Sequence, residues 1–175
     1  MIRFKWPAAL VLVCVLAQVV EAAEPIRVVV WDERQPKQKQ AYPDFLGNQI
    51  AGALGVRPGL SVKSVALDDA GQGISDKVLD QCDVLIWWGH VRQGLIKPEH
   101  GKRIVERIRA GKLSLIALHS AHWSTPFIEA MNARSQEDAL KQVPAAARAR
   151  AVLKLLPADP PLYRAPSRSA PLTPA

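Results

Sequence analysis

Three of the four histidines in this 175-residue chain stand in two short motifs, Trp87-Trp88-Gly89-His90 and His119-Ser120-Ala121-His122-Trp123. Imidazole changes charge near neutral pH and ligates borderline divalent ions through either ring nitrogen. His119 and His122 are three positions apart, so a tight turn can aim both rings at one place. With His90 they would supply three neutral nitrogen ligands for an ion such as zinc. Two of them with Glu33 or Asp32 would do the same, leaving a position open for water or substrate. The same groups could work without a metal, His119, His122 and Glu33 forming an acid/base set on a hydroxylated substrate. A third reading is structural, with His119 donating to a backbone carbonyl and His122 capping its own helix. Residue types alone do not separate the three. Asp32, Trp88, Ser120 and Trp123 complete the set as substrate-binding groups, since an indole beside imidazoles and carboxylates suits stacking on the apolar face of a sugar. A serine nucleophile at Ser120 is disfavoured, because His119 and Ala121 replace the glycines that relieve a nucleophile elbow.

An open parallel sheet would gather these motifs, because each directly follows a short apolar run. Ile26 to Trp31, Val84 to Trp88 and Leu113 to Leu118 are unbroken and β-branched, as strands buried on both faces are. Ser61 to Leu67 alternates and reads as a more exposed strand. Between them lie helical patterns: Tyr42, Phe45, Leu46, Ile50 and Leu54 share one face, with Pro43 in the first turn and Gly55 at the end. Ile74 to Leu79 is a short helix. Pro98 opens another, with Ile104, Val105 and Ile108 inward and Gly111 as a left-handed C-cap. Ser124 and Pro126 start a further helix, and Pro144 a last piece ending by Pro157. This alternation predicts right-handed βαβ units in an α/β, flavodoxin-like parallel sheet between helices, without fixing the strand order. Ligands of such sheets bind beyond the carboxyl ends of the strands, where Asp32, Glu33, His90, His119 and His122 fall. His100, in a first helical turn, reads as exposed or helix-packing, and Cys82, at the amino end of a strand, as a small buried hydrophobe.

The basic start Met1 to Lys5, the apolar run Ala8 to Val20 and the Val20-Glu21-Ala22 site read as a secretory signal over residues 1–22, cleaved after Ala22. The run is too short to span a bilayer, so no stable membrane insertion is expected after cleavage, and a periplasmic or secreted location is. Only Cys82 then remains, which rules out a disulfide within one mature chain. The formal net charge is +7. Residues 23–133 carry 14 basic and 12 acidic side chains, whereas the stretch from Arg134 carries seven and three, so the excess belongs mainly to the tail. A nearly neutral body without a basic stripe argues against nucleic acid as a partner. The expected layout is an α/β domain over 23–156 and a Pro-rich, unpacked tail over 157–175. Oligomeric state is not legible.

The residues quoted resemble those of the ThuA-like family, named for trehalose utilisation and related in fold to class I glutamine amidotransferases. The matching parts are Val28-Val29-Val30-Trp31-Asp32-Glu33, the helix through Gly47-Asn48, Asp83 to His90, and Leu118-His119-Ser120-Ala121-His122, together spanning about Ile26 to Asn132. The resemblance implies the fold and a role with a small-molecule carbohydrate, a disaccharide or its oxidised derivative. It does not imply the glutaminase reaction. The amidotransferase Gly-x-Cys-x-Gly-His pattern falls on Ala117 to His122, so His119 stands in the nucleophile's place and no thiolate is available for a thioester. Family members more often carry glycine at the position of Ala121, and their domains continue into further strands with a Gly-His-Glu-like element. The chain is therefore expected to be an incomplete domain, lacking a fifth strand, and poorly stable alone. A non-catalytic carbohydrate-binding module and an inactive fragment are the alternatives.

Overall fold

The structure is a computed structural model and describes residues 23–154. The expected leader over 1–22 and the Pro-rich tail over 157–175 lie outside the described residues.

Four strands form one all-parallel sheet: β1 (Ile26–Asp32), β2 (Leu60–Ala66), β3 (Val84–Trp88) and β4 (Ser114–Leu118), in the order β2-β1-β3-β4. The most continuously apolar runs, β1 and β3, occupy the centre, where a strand is covered on both faces. Their register sets Trp31 opposite Trp87, and the two rings stack with centroids 3.8 Å apart and planes 14° from parallel. Such a pair adds about 0.5–1.5 kcal/mol to the burial of the rings themselves. On that face Val29, Trp31, Leu85 and Trp87 pack with Ile74, Leu79, Ile96, Ile104 and Leu113. On the other, Val28, Val30 and Ile86 meet Ile50 and Leu54 of α1 (Leu46–Gly55).

Helix α2 (Asp76–Leu79) is a single turn before β3. Helix α3 (Pro98–Arg109) has Pro98 in its first turn and buries Ile104 and Val105, as the sequence pattern predicts. Gly111 takes a left-handed φ of 67° just beyond it, letting its N–H reach the Ile108 carbonyl and that of Lys112 the Arg107 carbonyl. Helix α4 (Thr125–Gln142) crosses α3 closely at Gly101, where a Cβ would come within 2.9 Å of Thr125 Cγ2. His100 is buried on α3, so of its two expected roles it has the packing one. Cys82 is buried, as expected, and its thiol is pushed up to about 11 by that burial.

Three local expectations change. Helix α1 begins at Leu46, leaving Tyr42 and Pro43 in the preceding turn, because two buried acceptors fix its start: Gln38 Oε1 takes the Leu46 N–H and Asp32 Oδ2 that of Gly47. Ser124 holds the N-cap position of α4, but its buried hydroxyl has no partner. The last helix, α5 (Ala145–Arg148), is one turn long, since an Ala-Ala-Ala-Arg segment offers no apolar face to bury.

The two edges of the sheet differ. Exposed Lys63 sits in the middle of β2, a charge that blunts an edge against pairing. Among the described residues β4 pairs only with β3, bears no charge, and leaves Ile116 46 % exposed.

Candidate functional site

The carboxyl ends of the strands collect the expected residues, and their side chains divide by role. Asp32 ends β1 fully buried: its Oδ1 accepts from the Arg34 N–H (2.7 Å) and Gln38 Nε2 (2.9 Å), its Oδ2 from the Gly47 N–H (2.7 Å). A Cβ on Gly47 would lie 2.5 Å from Asp32 Cβ, so glycine is what allows the helix to start against the strand end. Glu33, equally buried, turns to the segment after β3: it accepts from the Val91 N–H (2.9 Å), the Arg92 N–H (2.7 Å) and the Gln35 amide. Arg92 closes the ring, donating to the Glu33 carbonyl (3.0 Å) and pairing with Asp68 (2.6 Å), whose carboxyl it holds below its ordinary range. Both carboxylates thus hold loops in place, and neither presents a free oxygen to a ligand as the sequence reading had them do. The physical reason is burial, since a buried carboxylate must collect donors and the backbone N–H groups here supply them.

The imidazoles face outward. His119, directly after β4, opens a 3-10 turn (His119–Trp123) with φ at 46°, a left-handed conformation that costs a residue with a Cβ about 1–2 kcal/mol. Its Nδ1 lies 2.9 Å from Ser120 Oγ, and its ring is exposed. The Nδ1 of His122 donates to the His119 carbonyl at 3.1 Å, so in the neutral ring the lone pair is on Nε2. This is a backbone tie, but made by His122 and not by His119. Trp123 is 69 % exposed, its ring centroid 5.1 Å from that of His122. At the end of β3, Trp87 is buried in the core and Trp88 half-buried on the opposite face, the division that strand alternation predicts. His90 is exposed beyond Gly89, and Gly89 is pressed so closely on Gln93 that a Cβ would meet the Gln93 Cβ at 2.9 Å. Among the described residues no group of three or more His, Cys, Asp or Glu side chains is arranged to hold a metal ion. The residues brought together are His119, Ser120, His122 and Trp123.

Three residues outside the expected set complete this edge. Gln93, 4 % exposed, donates to the Ser120 carbonyl at 3.0 Å and anchors the histidine turn from below. Gln38 links Asp32 to the start of α1. Arg34 takes φ at 48° because Asp32 Oδ1 draws its N–H into a tight turn. Only the last left a trace in the sequence, the Asp-x-Arg spacing of an Asx-turn. Among the described residues the three non-glycine residues with left-handed φ, Arg34, Gln72 and His119, all lie in segments that follow strand ends on this one side of the sheet. Clefts of about 290 and 510 Å³ open elsewhere, the first lined by Val28, Ser61 and Gln81, the second by Cys82, Asp83 and Lys112, toward the amino ends of the strands.

Fold and edge define an open α/β domain with its polar chemistry at the carboxyl ends of a parallel sheet. Comparison of the chain with models of known protein families gives no match, and comparison with curated proteins gives none.

Proposed function

We propose that the chain is an exported ThuA-like protein of disaccharide (trehalose-type) or oxidised-sugar metabolism, with His119 and His122 as its acid/base pair. The observation that carries this reading is His119, an exposed imidazole in a strained left-handed conformation at the tip of β4. Strain of this kind persists where the surrounding structure holds it, and it is concentrated at sites that bind or react. With Nδ1 beside Ser120, His119 offers Nε2 to a substrate, and His122 presents its own Nε2 lone pair three residues on. One ring can take the proton from a carbon beside the keto group of an oxidised sugar while the other delivers one to the carbonyl oxygen, giving an enediol. Trp123 and the half-buried Trp88 supply faces for the pyranose ring.

Titration of the full chain with trehalose and with a keto-sugar, followed by tryptophan fluorescence and by deuterium exchange at the carbon beside the keto group, tests this. Binding and exchange are expected, with exchange falling at least about 100-fold in His119→Ala while affinity changes little. No response to the sugar removes the reading. The second reading, a carbohydrate-binding module, is favoured by the exposure of Trp123. It predicts binding that disappears in Trp123→Ala, without exchange at any pH.

A further inference from the structure

The guanidinium of Arg34 is weakly engaged at the carboxyl edge. Arg carries five N–H donors, yet the one side-chain hydrogen bond here is a long 3.4 Å contact from Nη2 to Asn48 Oδ1, an acceptor already taken by Ser64 Oγ at 2.6 Å. Its Nε is buried with no partner among the described residues, which leaves the terminal nitrogens as the donors for a ligand. Among the described residues neither Arg34 nor Lys39 joins an ion pair, whereas Arg27, Arg92, Arg103, Arg107, Arg109 and Arg134 all do. Both cations flank the Phe45 ring, the guanidinium carbon 5.6 Å and the Lys39 Nζ 5.0 Å from its centroid. The neighbouring acid, Asp44, is bound to the Asn48 amide at 2.5 Å, and Asp32 is satisfied by N–H donors. Arg34 also sits at a position where glycine would be free of strain.

We propose that Arg34, assisted by Lys39, is a binding site for a carboxylate carried by the ligand, so that the favoured ligands are sugar acids and not neutral sugars. A carboxylate meeting the two terminal nitrogens end-on uses a bidentate geometry that guanidinium favours and gives Nη1, which makes no hydrogen bond among the described residues, a partner. A single negative charge matches two cations that already have Asp44 beside them. The register places Asp32, Trp88 and Leu118 in line across three strands. Arg34 and His119, just beyond the outer two, are thus separated by two strand spacings, about 10 Å, with Trp88 between them. The carboxylate on Arg34 leaves the ring to lie over Trp88 toward the imidazoles. The sugar part of this assignment rests on the proposed function; the anion part does not.

The test is calorimetric titration of the full chain with D-glucuronate, D-glucose, trehalose and inorganic phosphate. Glucuronate is expected to bind at least tenfold more tightly than glucose. Arg34→Gly should abolish that preference while raising Tm, because it removes the guanidinium and the backbone strain together. Arg34→Lys should restore the preference only in part. A merely structural arginine would lower Tm when replaced. An undiminished preference for glucuronate in Arg34→Gly overturns the proposal, as does phosphate that displaces glucuronate at lower concentration. If trehalose binds through His119 and Trp123 with no gain for glucuronate, this inference falls and the proposed function stands. If the glucuronate preference needs Arg34 while His119→Ala and Trp123→Ala change nothing, the anion site stands and the sugar-processing reading falls.

Discussion

Glycine-to-alanine exchange at two positions of one helix should have opposite signs. At Gly47 the new Cβ would sit 2.5 Å from Asp32 Cβ, roughly an ångström inside ordinary contact, against a buried strand end that cannot yield like the tip of a flexible side chain. Overpacking of this kind costs about 1–3 kcal/mol. Separating the two also strains the 2.7 Å bond from the Gly47 N–H to Asp32 Oδ2, where loss of a hydrogen bond to a charged group costs about 1.5–3 kcal/mol. The helix preference of alanine returns about 1 kcal/mol. The net expectation is destabilisation by about 2–4 kcal/mol, a large part of the roughly 5–15 kcal/mol of a typical domain. At Gly52, in the same helix, nothing lies within 4 Å of the added methyl, and the exchange should stabilise by about 0.5–1 kcal/mol. Urea unfolding of both variants, followed by fluorescence of the stacked tryptophans, measures the pair. A Gly47→Ala midpoint equal to the parent's, or a Gly52→Ala midpoint lowered as much as that of Gly47→Ala, would refute the packing of α1 on the end of β1.

Further outcomes follow from other parts of the molecule. Burial, then the neighbouring Arg103, depresses the His100 pKa, so the neutral ring favours the fold. That contribution is present above the unfolded value near 6.5 and fades as pH falls through it, so the parent should lose stability between pH 7.5 and 5.5 more steeply than His100→Gln in parallel urea titrations. Asp83, paired with Arg27 at 2.5 Å and held at about 2 by that hydrogen bond, contributes fully above the ordinary carboxyl range. The stability difference between the parent and Asp83→Asn should shrink from pH 5 toward pH 2, and a constant difference would show the pair to be idle. Alkylation of Cys82, fully protonated at neutral pH and buried, should proceed only as fast as the protein opens, and accelerate with urea. Ile116→Lys places a charge on the edge of β4 that has no partner among the described residues, as Lys63 does on β2, and should reduce concentration-dependent aggregation in light scattering at little cost in Tm.

The strands and their parallel arrangement were legible because β1 and β3 are written as uninterrupted apolar runs, and the Gly111 cap because glycine in that place has one use. The start of α1 was not legible: hydrophobic periodicity reaches back to Tyr42, whereas the boundary is set by Asp32 and Gln38, whose part in it no local pattern records. The same physics explains the site. A motif places His119 and Asp32 at strand ends, but whether a side chain looks outward or is consumed by backbone donors depends on what folds over it. Burial turned both acids inward and left the imidazoles and Trp123 in solvent. Gln93 went unnoticed because a glutamine in a turn carries no periodicity at all, whereas the Asx-turn spacing at Arg34 marks a turn and says nothing of where its guanidinium lies.

Adjacent Asp32 and Glu33 tie down segments at very different distances along the chain. Asp32 closes on Gly47, 15 residues away, and Glu33 on Arg92, 59 residues away. Loop-closure entropy grows with the logarithm of length, so the second contact costs about 1 kcal/mol more to bring together from an open chain. Its partner loop also has no fixed position until β3 has docked beside β1. The two neighbours are therefore expected to act at different stages of folding: Asp32 on the nascent α1 early, seen as a high φ-value, and Glu33, hydrated and tied locally to the Gln35 amide, only once β3 has joined the sheet. One peptide bond would then separate an early contact from a late one.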